Sequence, residues 1–312
     1  MKSVSIVVPV YNEEDNIEHF AESVGNVMGA MEYQYEILFV DDGSRDRSRE
    51  ILLCLERENP HVKAIFLARN SGHQIALTCG LDHADSDAVV TMDGDMQHPP
   101  ELIPVLLEKW EAGYEVVQTI RQTTEGVSFF KRWTSKYYYK LLNLLSDVPI
   151  QPGGSDFRLM DRRVVLAFRK YREHARFIRG MVGAMGFRQI QMEFVAPPRF
   201  AGVSKFSLRK MSRFAMDGIL AYSSVPLRWA FYMGLLSGLC SILLLIHVFY
   251  ETLNGNAVAG WATITVCILF FGGVQMVFLG IIGEYIGRIF EEVKGRPLYL
   301  VAKEKGVSLR EQ

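Results

Sequence analysis

Two aspartates spaced i, i+2 follow directly on a short apolar run in the segment Thr91–Pro100. The run Ala88–Met92 is typical of a buried strand, so Asp93 and Asp95 stand where that strand ends. Ligands of open α/β sheets bind beyond the carboxyl ends of the strands. Two carboxylates there suit a hard divalent cation that bridges diphosphate oxygens, and Gln97 adds a neutral oxygen. Two solvated acids in a loop give the same local pattern, but the strand before them and Gln-His-Pro-Pro after them favour the metal site.

Two other loops show the same change from an apolar run to a polar turn. The segment Phe39–Ser44 runs into paired acids and a glycine, and Val7–Glu14 breaks at Pro9 into a polar loop before a helix. Carboxylates at these positions can accept hydrogen bonds from a nucleobase or a ribose. Ser44 equally suits a helix N-cap, which leaves its role open.

The elements that position these loops are predicted by a regular alternation in the first 120 residues. Five short apolar runs predict strands: Val4–Val8, Tyr35–Val40, Val62–Leu67, Ala88–Met92 and Val116–Thr119. The stretches between them predict helices: Asn16–Met31, Arg45–Glu58, His73–His83 and Pro100–Ala112. These runs have few polar interruptions, and such strands are typical of parallel sheets that are covered on both faces. The pattern therefore predicts an α/β fold with a doubly wound, mostly parallel sheet.

Charge is distributed unevenly although the formal net charge is only −1. Residues 1–110 hold 8 Lys and Arg against 20 Asp and Glu, whereas residues 111–220 hold 19 against 9. This division suits a cleft with a metal on one side and anionic groups on the other, although ordinary solvated charge also produces it. We expect no nucleic-acid partner. The four cysteines lack CxxC spacing, so neither a zinc site nor a disulfide framework is predicted.

The C-terminal third predicts a membrane hairpin. Trp229–Tyr250 and Val258–Ile282 are each close to the roughly 20 apolar residues that cross a bilayer. The loop Glu251–Ala257 has no Lys or Arg, and basic residues flank the hairpin on both outer sides. The positive-inside rule then places both termini and the α/β domain on the cytoplasmic side of the membrane. Core helices of a soluble protein are the alternative interpretation.

The segment before the hairpin mixes basic and apolar side chains, which predicts an interfacial helix on anionic headgroups or a plain amphipathic docking helix. We therefore expect a catalytic domain over residues 1–199, an interfacial segment over 200–225, a hairpin over 226–285 and a cytoplasmic tail over 286–312. Short hairpins commonly gain packing partners by association, so a homo-oligomer is a further hypothesis.

The three loops together resemble the inverting family-2 glycosyltransferases of GT-A fold, over roughly residues 1–120. Four motifs narrow the resemblance to the polyprenyl-phosphate glycosyltransferases: Arg69–His73, Asp93–Pro100, Gly154–Asp161 and Gly202–Phe206. That group includes dolichyl-phosphate mannose synthase and the bacterial undecaprenyl-phosphate glucosyltransferases. The predicted hairpin is similar to that of the bacterial members, so the resemblance covers nearly the whole chain.

The resemblance implies a role for each matching residue. The nucleoside pocket would be lined by Pro9, Tyr11, Glu13 and Asp42. Mg²⁺ or Mn²⁺ on the diphosphate would be held by Asp93, Asp95 and Gln97. The lipid phosphate would be bound by Arg121, Arg132 and Ser135, and Lys205 would close over the phosphates. Asp156 matches an acid often assigned as the catalytic base. His73 and His98 are interpreted as hydrogen-bonding groups rather than metal ligands.

The chemistry of the acceptor argues against a general base. A phosphate monoester has a second pKa of ~6 and is largely dianionic at neutral pH, so it scarcely needs deprotonation. Asp156 is then predicted to orient the sugar or an arginine such as Arg158. Catalysis would depend on positioning, on a metal at the departing diphosphate and on arginines at the acceptor, and the candidate catalytic residues are Asp156, Asp95, Arg121 and Arg132.

The expected reaction is inverting transfer of one sugar, with UDP-glucose favoured as donor, to undecaprenyl phosphate for modification of an envelope glycan. UDP-linked N-acetylhexosamine, galactose or 4-amino-arabinose derivatives and GDP-mannose stay open as donors. Polysaccharide synthases of the superfamily carry Gln-x-x-Arg-Trp, yet neither Lys131–Trp133 nor Leu227–Trp229 follows a glutamine at the required position. A scaffold with an inactive transferase domain and a transporter are weaker alternatives.

Overall fold

The computed structural model describes residues 1–122, 154–195, 225–254 and 260–305. The strands are β1 Ser3–Val10, β2 Gln34–Asp41, β3 Val62–Leu67, β4 Ala88–Thr91, β5 Val116–Arg121, β6 Gly154–Asp161, β7 Gln189–Phe194 and β8 Val301–Lys305. The α-helices are α1 Ile17–Gly29, α2 Ser48–Glu58, α3 His73–His83, α4 Ile103–Glu111, α5 Arg162–Phe168, α6 Ile178–Ala184, α7 Val225–Leu253 and α8 Trp261–Val293. One 3₁₀ turn, Pro100–Leu102, precedes α4. The chain divides into two compact units, one with the strands and one with α7 and α8.

The eight strands form one sheet in the order β7-β5-β6-β4-β1-β2-β3-β8. Strand β1 pairs in parallel with β2 and β4, β2 pairs in parallel with β3, and β5 pairs in parallel with β7. Strand β6 runs antiparallel between β4 and β5, and β8 runs antiparallel along β3. The predicted α/β fold with a mostly parallel sheet is confirmed. The carboxyl ends of β1, β2, β4 and β5 therefore meet at one edge of the sheet.

The core lies on both faces of the central strand β1, which explains why its residues are apolar apart from Ser3 and Ser5. Val4, Ile6, Val7 and Val8 are completely buried. Helix α1 covers one face with apolar side chains at helical spacing. Helix α3 covers the other face so closely that a Cβ on Gly80 would lie 2.2 Å from Val7 Cγ1.

Replacing Gly80 with alanine is expected to destabilise the strand-bearing unit by about 2 kcal/mol, because the added methyl overpacks a buried and stiff valine. The matched control is Gly29→Ala at the end of α1, where an added Cβ meets nothing within 4 Å. Higher helix propensity should leave that control neutral or stabilised by up to about 1 kcal/mol. Thermal unfolding of both purified variants measures the difference, and equal melting temperatures would contradict the packing argument.

Three strands and the course of the tail differ from the sequence expectation. The predicted strands and helices of the first 120 residues are confirmed within a few residues at their ends. Strands β6, β7 and β8 were not predicted as strands. The predicted tail, residues 286–312, contains the end of α8 and then β8, which pairs with the edge strand β3. The interfacial segment, apart from Val225, lies outside the described residues.

The two long helices of the second unit are apolar over most of their length. Their outward side chains include Phe231, Leu239, Phe270 and Met276, each more than half exposed. Within the described residues, Phe270–Val293 is long and apolar enough to cross a membrane, with a mean hydropathy of 1.4. Helix α7 contains the shorter apolar segment Leu227–Leu243. Long apolar segments with exposed side chains suit a lipid environment.

Candidate active site

The loops after β1 and β2 are fastened to each other by hydrogen bonds between side chains and backbone. Asn12 N–H donates to Ser44 Oγ at 2.9 Å, and Arg45 N–H donates to Asn12 Oδ1 at 2.8 Å. Glu13 N–H donates to Ser48 Oγ at 3.0 Å. Asn12 adopts a φ of 53°, a left-handed conformation that asparagine tolerates. The two loops therefore form one fixed wall at the edge of the sheet.

Asp42 holds a third loop against this wall. Its Oδ1 accepts from Ser71 N–H at 2.6 Å and its Oδ2 accepts from Gly72 N–H at 2.9 Å. Burial raises the pKa of Asp42 and outweighs the effect of these two hydrogen bonds. Gly43 is required beside it, since its φ is +70° and a Cβ would lie 2.8 Å from Asn70 N. The contact of Asp42 with a nucleoside stays a prediction. In the structure Asp42 anchors the loop that contains Ser71 and Gly72.

The predicted metal loop follows β4 and is shaped by its own side chains. Gln97 N–H donates to Asp95 Oδ1 at 3.2 Å, and Met96 has a φ of 60°. Gly94 lies against β1, where a Cβ would come within 3.2 Å of Val10 Cγ1. Arg121, the last residue of β5, donates from Nη1 to Gln97 Oε1 at 3.4 Å. Two acids and an arginine are thus brought together at this edge.

His98 supports the loop from below as a neutral imidazole. Asp93 N–H donates to its Nδ1 at 2.8 Å, so the ring proton lies on Nε2, which donates to Ser155 Oγ at 2.7 Å. The ring stacks on Phe157 with centroids 5.1 Å apart. Burial lowers the pKa of His98 despite the nearby carboxylates. Both ring nitrogens of His98 are therefore engaged in contacts with the protein.

Asp156 on β6 is the centre of a buried ion cluster. Arg179 on α6 binds it with two nitrogens, Nε to Oδ1 at 2.9 Å and Nη2 to Oδ2 at 3.1 Å. Arg158 Nη2 donates to Oδ1 at 3.0 Å, and Gln74 Nε2 donates to Oδ2 at 3.1 Å. Burial raises the pKa of Asp156, but the charge of Arg179, the His73 contact and Arg158 outweigh it and hold the pKa well below its usual range. A carboxylate in this state is a poor proton acceptor at neutral pH.

His73 at the start of α3 connects this cluster to the metal loop. Its Nε2 lies 3.4 Å from Asp93 Oδ1 and 3.5 Å from Asp156 Oδ2. Burial lowers its pKa, but the charges of Asp93 and Asp156 outweigh that effect and raise the pKa to about 9. The imidazolium therefore fixes the distance between the two carboxylates.

The structure brings most of the predicted site together at the carboxyl edge of the sheet. Residues of the metal loop and the ion cluster are Asp93, Asp95, Gln97, Arg121 and Asp156. The end of β1, the loop after it and the acid after β2 supply Pro9, Tyr11, Glu13 and Asp42. Arg132, Ser135 and Lys205 lie outside the described residues. Gln74 and Arg179 were missed, because no recognisable motif marks either one and only the fold places them beside Asp156.

The residues of the metal loop suit a divalent cation whose remaining coordination positions are filled by oxygens of a bound substrate. Asp93 Oδ1 is buried and accepts no hydrogen bond within the described part of the chain, and its nearest charged neighbour there is His73 Nε2 at 3.4 Å. The same ranges hold no cluster of three or more His, Cys, Asp or Glu side chains arranged for a metal. Two carboxylates, a neutral oxygen and diphosphate oxygens suit Mg²⁺ or Mn²⁺, which bind through few protein ligands plus substrate phosphates.

The mixed sheet with acid-rich loops at its carboxyl edge has the arrangement expected for the GT-A fold. Residues 5–168 match the glycosyl transferase family 2 model, and residues 225–289 match the GtrB C-terminal hairpin model. The chain belongs to glycosyl transferase family 2, and the resemblance drawn from its motifs is confirmed.

Relatives match over nearly the full length. The glycosyltransferase YkcC of Bacillus subtilis strain 168 is 44% identical over 304 residues, which cover 97% of this chain and 94% of YkcC. The bactoprenol glucosyl transferase of Shigella phage SfV is 40% identical over 303 residues, which cover 97% of this chain and 99% of that protein. The crystal structure of glucosyl-3-phosphoglycerate synthase from Mycobacterium tuberculosis with Mn²⁺, UDP and glucosyl-3-phosphoglycerate is 15% identical. The match covers 70% of this chain and 78% of that one, with a TM-score of 0.46.

Proposed function

We propose that the protein transfers one sugar from a nucleotide-sugar to a polyprenyl phosphate, with inversion at the anomeric carbon. UDP-glucose is the proposed donor and undecaprenyl phosphate the proposed acceptor. The observation that carries the proposal is the contact of Arg121 with the loop that contains Asp93 and Asp95. The guanidinium could bind the phosphate of the acceptor, and the two carboxylates beside it could bind a metal ion on the diphosphate of the donor. Relatives named bactoprenol glucosyl transferases, 40% identical over nearly the whole chain, support a polyprenol-based acceptor.

The donor would be held between the metal loop and the wall formed by the first two loops. Asp93 and Asp95, with Gln97, would hold Mg²⁺ or Mn²⁺, which supplies charge stabilisation for the departing diphosphate. Gln97 Oε1 accepts a hydrogen bond from Arg121, so this oxygen would be shared between Arg121 and the metal ion. The nucleoside would lie against Pro9, Tyr11, Glu13 and Asp42, and Lys205 would cover the phosphates.

The acceptor phosphate would be oriented by Arg121 together with Arg132 and Ser135. Guanidinium groups suit this task because they bind phosphate oxygens in a two-pronged geometry. The phosphate is largely dianionic at neutral pH and attacks without transferring a proton to the protein. Asp156 stays ionised and acts through the arginines that it holds. Rate acceleration then comes from positioning and electrostatic stabilisation.

The membrane placement is proposed from the C-terminal hairpin. Lys and Arg lie outside the hairpin and are missing from the loop Glu251–Ala257, which places the transferase unit and both termini on the cytoplasmic side of the inner membrane. Proteolysis of inside-out and right-side-out vesicles tests this. Cleavage of the transferase unit in right-side-out vesicles alone would overturn the orientation.

A panel of radiolabelled UDP- and GDP-sugars, presented with undecaprenyl phosphate and Mg²⁺ or Mn²⁺, tests the donor. We expect chloroform-extractable label from one donor, UDP-glucose, and none after addition of EDTA. Extractable label from GDP-mannose or a UDP-N-acetylhexosamine alone would replace the proposed donor. Chain-length analysis of the product separates single-sugar transfer from a polysaccharide synthase.

A further inference from the structure

The two ends of the metal loop are joined by the side chain of His98. Met92 N–H still donates to Val7 O at 3.0 Å, which continues the pairing of β4 with β1. Asp93 N–H is the next along the chain, and it donates to His98 Nδ1 at 2.8 Å instead of to the sheet. The segment that this hydrogen bond encloses contains all three predicted metal ligands, Asp93, Asp95 and Gln97. His98 therefore closes the loop that would hold the cation.

The orientation of the His98 ring is fixed by contacts on several sides. Its side chain is only 7% exposed. The ring stacks on Phe157 with centroids 5.1 Å apart and lies edge-on to Phe194 at 6.1 Å. Its Nε2 donates to Ser155 Oγ at 2.7 Å and lies 3.6 Å from Asp93 Oδ2. The ring cannot turn without losing these contacts, so Nδ1 is held in the position where it meets Asp93 N–H.

Packing alone does not require an acceptor at Nδ1. The aromatic contacts of the ring fill space, whereas a backbone N–H needs a nitrogen lone pair or an oxygen that faces it. An N–H without a partner is costly where it is shielded from water, so loss of this acceptor would favour loop conformations in which Asp93 N–H reaches solvent. His98 therefore has two separable functions, one in the core through its ring and one at the loop through Nδ1.

Building on the proposed function, we propose that His98 is a positioning residue for the divalent metal ion. Its Nδ1 closes the loop before the cation arrives, so the carboxylates of Asp93 and Asp95 need little further ordering when they bind it. A closed loop loses less conformational freedom on binding than an open one, and the difference is expressed as metal affinity. Groups that orient metal ligands in this way typically contribute roughly 10- to 100-fold to that affinity.

Two substitutions separate the function of Nδ1 from that of the ring. In His98→Asn the amide oxygen stands as far along the side chain as Nδ1 and can accept from Asp93 N–H. In His98→Gln the amide stands at the position of Nε2 and leaves no acceptor at Nδ1. Both variants lose the aromatic contacts, so their melting temperatures should fall by similar amounts.

The test measures the affinity of the full-length protein in detergent for Mn²⁺ at saturating UDP, by electron paramagnetic resonance of the free ion. The affinity should fall by roughly 10- to 100-fold for His98→Gln and by less than about 3-fold for His98→Asn. His61→Gln is the matched control and should leave the affinity unchanged. The ring of His61 also stacks on an aromatic side chain, that of Tyr35 at 4.1 Å, and its Nδ1 lies 3.0 Å from Tyr35 O, but it precedes the amino end of β3.

Equal Mn²⁺ affinities of folded His98→Asn and His98→Gln would overturn the proposal, because the ring alone would then explain the histidine. A measurement on the wild type covers the case in which either variant fails to fold. The Asp93 amide should be protected from hydrogen exchange before Mn²⁺ is added, and exchange at the rate of an unstructured chain in the metal-free protein would also overturn the proposal. Failure of the proposed function would appear separately, as missing sugar transfer to lipid by wild-type protein that still binds Mn²⁺ and UDP.

Discussion

Replacing Asp95 with asparagine is expected to lower the rate of sugar transfer by roughly 100- to 1,000-fold while the protein stays folded. The asparagine keeps an oxygen that can accept from Gln97 N–H, the contact now made by Asp95 Oδ1 at 3.2 Å, so the loop can keep its turn. It loses the negative charge that a divalent cation requires. The rate at saturating Mn²⁺ and donor, together with the affinity for Mn²⁺ in the presence of UDP, measures both consequences.

Asp85→Asn is the control for the loss of a carboxylate. Asp85 precedes the amino end of β4, where its Oδ1 pairs with Arg162 Nη2 at 2.9 Å and half of the side chain is exposed. An exposed ion pair contributes at most about 1 kcal/mol, so transfer should be unchanged. Equal activity of Asp95→Asn and Asp85→Asn would remove the metal loop from the mechanism.

Replacing Asp156 with asparagine is expected to destabilise the strand-bearing unit by about 3–5 kcal/mol at neutral pH. Arg158 is completely buried, and its Nε and Nη1 have no hydrogen-bond partner within the described residues. Removing its counter-ion leaves a buried charge without compensation. The melting temperature at a fixed scan rate should fall by roughly 10 °C, and transfer should fall with it because Asp156 is linked to the metal loop through His73.

The stability difference should depend on pH in a defined direction. The folded-state pKa of Asp156 is held well below its usual value, so its contribution is present above the unfolded pKa of about 3.9 and is lost as the pH falls through the folded pKa. Wild type and Asp156→Asn should therefore differ fully at pH 7 and converge in strong acid. Coincident melting curves at pH 7 would contradict the buried ion cluster.

The low pKa of Asp156 separates its two candidate roles, general base and positioning group. A carboxylate that stays ionised at every pH of the assay does not change the rate through its own titration, so it produces no limb in the pH–rate profile near pH 7. The acceptor phosphate, with a second pKa of ~6, should set the acidic limb instead. That limb should persist in the residual activity of Asp156→Asn, whereas its disappearance would restore Asp156 as a general base.

Much of the fold was predictable because buried parallel strands are largely apolar. The runs that became β1 to β5 needed no knowledge of tertiary structure. Strand β7 has the alternating burial of an edge strand in Gln189–Phe194, which a period-two search would have found. Strand β8 is short and partly charged, and only its pairing with β3 after the membrane hairpin defines it.

The candidate site was predictable where residues are close in sequence. Asp93, Asp95 and Gln97 share one loop, so their closeness in sequence brings them together. Asp156 and Arg158 are two residues apart on one strand, so their side chains lie on the same face. Gln74 and Arg179 come from different helices, and the sheet and its helices bring them to Asp156. Side chains that meet only through tertiary packing leave no local pattern in the sequence.

The most direct test of the central claim compares acceptors with the purified full-length protein. Radiolabelled UDP-glucose is incubated with undecaprenyl phosphate, with undecaprenol or without lipid, in Mn²⁺ and in EDTA. The proposed reaction predicts one labelled lipid that forms only with undecaprenyl phosphate and divalent metal, and that Asp95→Asn fails to produce. Label transferred to undecaprenol, to protein or into a polymer, or transfer that persists in EDTA, would contradict it.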